Sequence, residues 1–457
     1  MSRLSPAFTA ALCVAAAVIY FLPPPAGATA VTMHAAALIL LTAGLWALGA
    51  LPEHVTGLLF FLLAVVLAIA TPQVVFSGFA SATMWLVMGG LFIAEAVRTT
   101  GLGQRFAGVL FGRFTRTYTG LLIEVAIAAT ALAFFMPATV SRTLLLVPIV
   151  MSLAERVGFA HGSSGFNGLC LTAIIITYQS GSGILPANAP NLVLAGAAEA
   201  LYGVHFIYAE WMWVIFPVLC LLKGAITVAL ARWVFPATME PSPPVPASAP
   251  MSAEERRLAV ILIIAILLWA TDFLHGIRAG WVALAAAVAC LLPRIGMLAA
   301  QSFDDVRYGS FFYVGAAIGV GAVANETGVG ALLGSAAQHV LNIQPGADFM
   351  NFFVLSLFST VVGLITTNPA QPAVIAPLAE QFAAAAGWPL NASLMTMAVG
   401  FTIMVLPYQV PPVVVGMRAA GISLRTVMRL GLPLLVVSIG VLLPLEYLWW
   451  RLIGYFG

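Results

Sequence analysis

The sequence has 457 residues, of which 62% are hydrophobic and only 7% charged, with a formal net charge of +2. A soluble chain carries roughly 25% charged residues; apolar runs of membrane-spanning length here make a polytopic membrane protein, and their unbroken character excludes a β-barrel of short alternating segments. The basic residues are scattered over short loops, so no nucleic-acid partner is expected.

The first thirty residues carry Arg3, an apolar run to Leu22 and the small residues Ala26 to Ala30. This pattern fits either a cleaved leader or a retained helix; the length of the run and the spans that follow favour retention. Apolar spans are predicted at 7–22, 33–50, 55–70 and 82–97. An arginine-bearing segment with Arg98, Arg105, Arg113 and Arg116 follows and reads as an interfacial helix. A re-entrant hairpin is predicted over 118–157, turning at Pro137–Ser141. Beyond it come a helix from 167, broken at Gly181–Pro190 and resumed to 203, and a long span over 206–233.

Residues 234–256 form a Pro/Ala/Ser-rich cytoplasmic linker without apolar periodicity. It divides the N-terminal helices (1–50) and a first repeat (51–233) from a second repeat (257–457). The second half offers spans at 257–273, 279–293 and 310–325, a segment 326–345, and a second hairpin over 346–386. A helix from 390, broken at Pro407–Pro412, precedes a last span at about 431–450. The expected fold is all-α, with about eleven transmembrane helices plus two re-entrant hairpins in two inverted-topology repeats.

Three landmarks support duplication. Thr100-Gly101-Leu102-Gly103 returns as Thr327-Gly328-Val329-Gly330 at an offset of 227; Pro148 matches Pro377 at 229; Leu185-Pro186 with Pro190 matches Leu406-Pro407 with Pro411 at 221. Charge supports inversion. With a cytoplasmic amino terminus, the loop arginines from Arg3 to Arg429 fall inside, and only Arg278 and Arg451 fall outside. The segment 98–116 is basic whereas its counterpart 325–345 has no Lys or Arg, so equivalent segments sit on opposite faces.

Both hairpins turn at polar interruptions, Pro137-Ala138-Thr139-Val140-Ser141-Arg142 and Thr366-Thr367-Asn368-Pro369-Ala370-Gln371. Proline removes a backbone donor, and irregular backbone at membrane depth is tolerated only inside protein or beside a water-filled cavity. Two such breaks in corresponding halves point to the site of a secondary transporter. Cys13, Cys170, Cys220 and Cys290 lie singly in apolar segments and read as small buried residues rather than disulfides or metal ligands.

At this level the chain resembles the divalent anion:sodium symporter family of the ion transporter superfamily. The likeness rests on Leu51-Pro52-Glu53, Phe76-Ser77-Gly78-Phe79-Ala80 and Thr100-Gly101-Leu102-Gly103, and on the order of hairpin and broken helix in both halves. It implies a homodimer in the cell inner membrane that moves dicarboxylates, tricarboxylates or sulfate, mostly with sodium, by an elevator motion. The family's hairpin signature Ser-Asn-Thr is replaced here by Ala138-Thr139-Val140 and Thr367-Asn368-Pro369. Its Gly-Thr-Pro-Pro-Asn reads Ala187-Asn188-Ala189-Pro190-Asn191 and Gln409-Val410-Pro411-Pro412-Val413.

The candidate substrate-binding residues are Thr139, Ser141, Arg142, Thr367, Asn368 and Gln371. A guanidinium at membrane depth faces a cavity or a partner, and its planar fork suits a carboxylate or sulfate. The alternative is a structural arginine that pairs with Glu124 or caps carbonyls at the turn. Asn188, Asn191 and Asn368 are the candidate sodium ligands, with helix capping as the competing role of the first two. Lys223 reads as a snorkelling side chain. Glu95, Glu124 and Glu326 are further charges in or near the membrane, Glu124 being conceivable as a proton-coupling carboxylate, and the histidines form no cluster.

The function expected is secondary transport of a small anion, a di- or tricarboxylate, with sodium as coupling ion. The alternative is sodium-independent, proton-coupled or exchange transport of another anion. An enzyme would need a catalytic constellation and none is visible; a channel would not need two occluding hairpins.

Overall fold

The computed structural model describes residues 6–25, 27–110, 117–239, 250–299 and 301–456. All regular structure among them is helical, with no strand. Apolar sequence at membrane depth must satisfy its own backbone, and the helix does so within one segment. The first half comprises α1 (Pro6–Phe21), α2 (Ala30–Leu48), α3 (Glu53–Val66), α4 (Ala82–Thr100), α5 (Leu102–Leu110), α6 (Tyr118–Phe135), α7 (Thr139–Arg156), α8 (Ser164–Ser182), α9 (Ala189–Tyr202) and α10 (Tyr208–Val234). The second comprises α11 (Ala253–Ala270), α12 (Ala279–Leu291), α13 (Gly309–Glu326), α14 (Val329–Leu341), α15 (Asp348–Ile365), α16 (Gln371–Ile375), α17 (Ala379–Ala386), α18 (Leu390–Phe401), α19 (Pro411–Ala419) and α20 (Leu424–Leu452).

Among the described residues, α2, α6, α10, α15 and α20 are each long and apolar enough to cross a bilayer unaided. α1, α3, α12 and α18 are apolar but shorter. α13 and α14 are bent 80° at Thr327-Gly328. The bend has a backbone cause: Gly328 stands at φ 78°, and Gly101, between α4 and α5, stands at φ 76°. Both positions need the left-handed region, which glycine enters without a Cβ clash. The repeated Thr-Gly landmark is therefore a repeated turn. A second correspondence is a π-helical segment in the last long helix of each half, Pro217–Leu222 in α10 and Ser438–Leu442 in α20.

Small residues allow the closest helix contacts. A Cβ on Gly89 of α4 would lie 2.5 Å from the Ala283 backbone of α12, and one on Gly280 only 2.0 Å from the Ala82 carbonyl. Close backbone approach of this kind drives helix association in lipid, where apolar burial adds little. Around the breaks the packing is crossed. α7 packs on α8 of its own half and also on α19, while α16 packs on α15 of its own half and also on α9. Each resumed half-helix thus leans on the other half's tip.

Three expectations change. α11 begins at Ala253, so 253–256 are helix rather than linker; Ser252 and Glu255 form a reciprocal capping box that starts it. Of the linker, 240–249 lie outside the described residues, as do Arg3, Arg113 and Arg116. The segment 98–116 is not one helix, because α4 continues to Thr100 and only then turns into α5. Finally, α18 stops at Phe401, six residues before Pro407, and the chain runs without regular helix to Leu406 before a single 3-10 turn over Pro407–Gln409. Proline 407 forces Leu406 into extended backbone (φ −128°, ψ 143°), but the earlier stop comes from side chains that cap the helix end, described next.

Candidate functional site

The first tip is the break at Met136–Ala138 between α6 and α7. Arg142, one turn into α7, is wholly buried. It donates through Nη1 to the Met136 carbonyl, and through Nη2 to Ala187 O (3.0 Å), Thr177 O (3.3 Å) and Thr139 Oγ1 (3.1 Å). All these described hydrogen-bond partners are uncharged oxygens, so the arginine adopts the carbonyl-capping arrangement and brings its charge beneath the tip. Thr139 is also turned inward, donating to Ala187 O at 2.8 Å. Gly181 makes room: a Cβ there would sit 2.6 Å from Arg142 Nη2.

The first broken helix is closed by amides. Asn191 Nδ2 donates to Gly181 O (3.0 Å), Ser182 O (3.2 Å) and Ile184 O (3.1 Å). Asn188 Nδ2 reaches Ser182 Oγ at 3.3 Å. Asn191 thus serves the backbone carbonyls between α8 and α9, whereas Asn188 bonds a side-chain hydroxyl at the end of α8.

The second tip runs from Thr366 to Ala370 between α15 and α16. Asn368 is buried, its backbone N–H donating to Gln409 O at 2.8 Å and its side-chain nitrogen to Phe401 O (2.8 Å) and to Tyr178 Oη (2.6 Å). Gln371 is buried too, donating to Ser359 of α15. The oxygens Asn368 Oδ1 and Gln371 Oε1 converge beside Gly363, where a Cβ would be 2.9 Å and 2.5 Å from them. Ser141 and Thr367 alone among the candidate substrate residues remain half-buried rather than buried.

The carbonyl end of α18 is the part that sequence reasoning missed. Val399 O accepts from Thr402 Oγ1 (2.8 Å), Gly400 O from Thr360 Oγ1 (3.1 Å), and Phe401 O from Asn368 and from the Tyr178 hydroxyl. Thr402 O accepts from Lys223 Nζ at 2.7 Å. Lys223 does not snorkel. Its position directly after the π segment of α10 aims it across α8 at the end of α18, where it is 2% exposed. The only hint in the sequence was a lone lysine inside an apolar run.

Elsewhere, no group of His, Cys, Asp or Glu among the described residues could hold a metal ion. A groove of about 730 Å³ lies between α6, α8 and α10, but its lining from Ile123 to Ile266 is almost wholly apolar. It does not suit an anion.

Broken helices packed around two buried tips define a polytopic membrane transporter fold. The chain belongs to the family described as the sodium:sulfate symporter transmembrane region, which matches residues 6–456. Similar proteins include a "membrane protein" of Cupriavidus necator, 25% identical over 83% of this chain and 76% of that one. The sodium-dependent dicarboxylate transporter SdcS of Staphylococcus saprophyticus is 21% identical over 88% and 83%. The L-tartrate/succinate antiporter of Escherichia coli K12 is 23% identical over 74% and 72%. The solved structure of Neisseria gonorrhoeae MtrF, described within a class of antimetabolite efflux pumps, shares the fold with a TM-score of 0.54 at 15% identity, over 97% of this chain and 93% of that one. The protein is a membrane transporter, not an enzyme.

Proposed function

We propose that the protein is a secondary transporter of small organic di- or tricarboxylates, working by alternating access between two inverted repeats. The observation that carries this reading is the first tip. α7 begins at Thr139 without a side-chain cap on its first N–H groups. Half-buried Ser141 lies in its first turn and the buried charge of Arg142 beneath. A helix amino terminus with a cation behind it favours a carboxylate.

In this reading the anion meets Ser141 and the start of α7 on one side and Thr367 on the other. Thr139, Arg142, Asn368 and Gln371 shape the two tips from behind. The re-entrant units α6–α7 and α15–α17, with the broken helices they grip, move as one elevator body against the paired helices. The chain works as a homodimer in the inner membrane with its amino terminus in the cytoplasm, the side where the loop arginines gather. Relatives named for dicarboxylate, malate, tartrate and succinate transport support the substrate class.

The test is thermal unfolding of the purified protein with succinate, malate, tartrate, citrate or sulfate. A ligand that binds the folded state raises its apparent stability by mass action. A saturable rise with a dicarboxylate, larger than with sulfate, is expected. No rise with any of the five would overturn the substrate class.

A further inference from the structure

Unwound backbone carbonyls and half-helix carboxyl ends at the midplane of a transporter are the groups that hold a mobile coupling cation. In this chain both sets are already engaged. At the first break Thr177 O and Ala187 O face Arg142, and Gly181, Ser182 and Ile184 face the Asn191 amide. At the second, the last four carbonyls of the α18 end, Val399 to Thr402, each accept from a side-chain donor, and the outermost accepts from an ammonium. Each broken helix has its own buried cation on its carbonyls.

The second case shows a compensation. The residue matching Asn191 is Val413, which cannot donate to loop carbonyls. Val413 instead lines a cavity of about 10 Å³ together with Tyr178, Gln179, Lys223, Thr402 and Ser438. That is room for the centre of a single water and no more. Lys223 arrives there from the π segment of α10, and Ser438 from that of α20. Glu446, buried on α20, accepts from Trp450 Nε1 at 3.1 Å. A lysine in that setting is not a stray charge.

We infer that Lys223 is a tethered cation that takes the place of a mobile sodium ion at the carbonyl end of α18, as Arg142 does at the first break, so that this transporter works without sodium. The consequence for transport rests on the anion-transport reading above; the occupancy of the carbonyls does not. Asn188, Asn191 and Asn368 spend their amide nitrogens on acceptors at the breaks; what carries the replacement of sodium is the engaged carbonyls, not the side-chain oxygens of Asn191 and Asn368.

The test uses the full chain in detergent without any organic anion. Its thermal unfolding is followed as sodium chloride replaces choline chloride at constant ionic strength. The wild type is expected to unfold at the same temperature in both salts. Lys223→Ala, which frees the Thr402 carbonyl and opens space, is expected to unfold earlier in choline and to regain a few degrees in sodium. A saturable, sodium-specific rise in the wild type overturns the inference, and that arm decides alone should the variant fail to fold. A Lys223→Ala loss that sodium does not repair also overturns it, reducing Lys223 to a structural donor. Failure of the anion-transport reading looks different: no dicarboxylate stabilises the protein in either salt.

Discussion

The hydroxyl of Tyr178, at the end of the first broken helix, and the side-chain nitrogen of Asn368, at the second tip, stand 2.6 Å apart although 190 residues separate them in sequence. Both also serve the Phe401 carbonyl. The contact fastens one half's broken helix to the other half's tip in a buried setting. Removing a buried partner leaves its mate unsatisfied, so Tyr178→Phe is expected to cost about 1–3 kcal/mol. A double-mutant cycle with Asn368→Leu should return a coupling of about 0.5 kcal/mol or more, read from chemical or thermal unfolding. Additive losses would mean the two residues act separately.

Arg142 tests how far one side chain can be both frame and charge. Arg142→Ala strips the donor from the carbonyls of Met136, Thr177 and Ala187. A loss of about 1–3 kcal/mol is expected for a buried carbonyl left without its donor. Dicarboxylate stabilisation should disappear with it. Arg142→Lys keeps the positive charge but lacks the planar fork that reaches three carbonyls. It should retain a weakened response to dicarboxylate at a lower unfolding temperature. Unchanged stability in both variants would contradict the capping role.

How much of this was legible from sequence depends on the range of the interactions. The breaks at Pro137, Pro369 and Pro407 are local chemistry, visible wherever proline denies a helix its donor. The Gly101 and Gly328 turns are likewise local, each marked by its own Thr-Gly-x-Gly. Ser252-x-x-Glu255 is equally local and marks a helix start, but the Pro- and Ala-rich sequence around it masks the signal. By contrast, the early stop of α18 and the fate of Lys223 are set by contacts between residues 179 and 223 positions apart in the chain. A lone lysine in an apolar run looks the same whether it reaches the lipid surface or a buried carbonyl. Only the crossed packing of α10, α8 and α18 decides.

The closeness of α8 to Arg142 rests on Gly181, whose added Cβ would meet Nη2 at 2.6 Å and Ala187 O at 3.2 Å. Gly181→Ala must displace the guanidinium or the loop, and overpacking of this kind costs about 1–3 kcal/mol. A Cβ added at Gly224, on α10, would meet nothing within 4 Å, so Gly224→Ala gains helix propensity without a clash. It should be neutral or stabilising by up to about 1 kcal/mol. The comparison is made by unfolding temperature under one set of conditions. Equal losses at the two glycines would show that the Arg142 contact is not what Gly181 protects.

Glu199, on α9, acts as a remote cap for α4. Its carboxylate accepts from the backbone nitrogen of Ala82 (3.1 Å) and, more weakly, of Thr83 (3.4 Å), and from Arg278 Nη1 at 3.0 Å. Two different interactions therefore share one side chain, and they can be separated. The Arg278 pair is half exposed, so Arg278→Ala is expected to cost only about 0.2–1 kcal/mol and less at high salt. Glu199→Ala also strips the α4 amino terminus of its acceptor, where loss of a cap costs about 0.5–2 kcal/mol, and it should exceed the arginine variant at every salt concentration. The salt-insensitive part of the Glu199 loss measures the cap. If the two variants lose the same stability, and salt abolishes both losses, then Glu199 holds only the ion pair and α4 starts without its help.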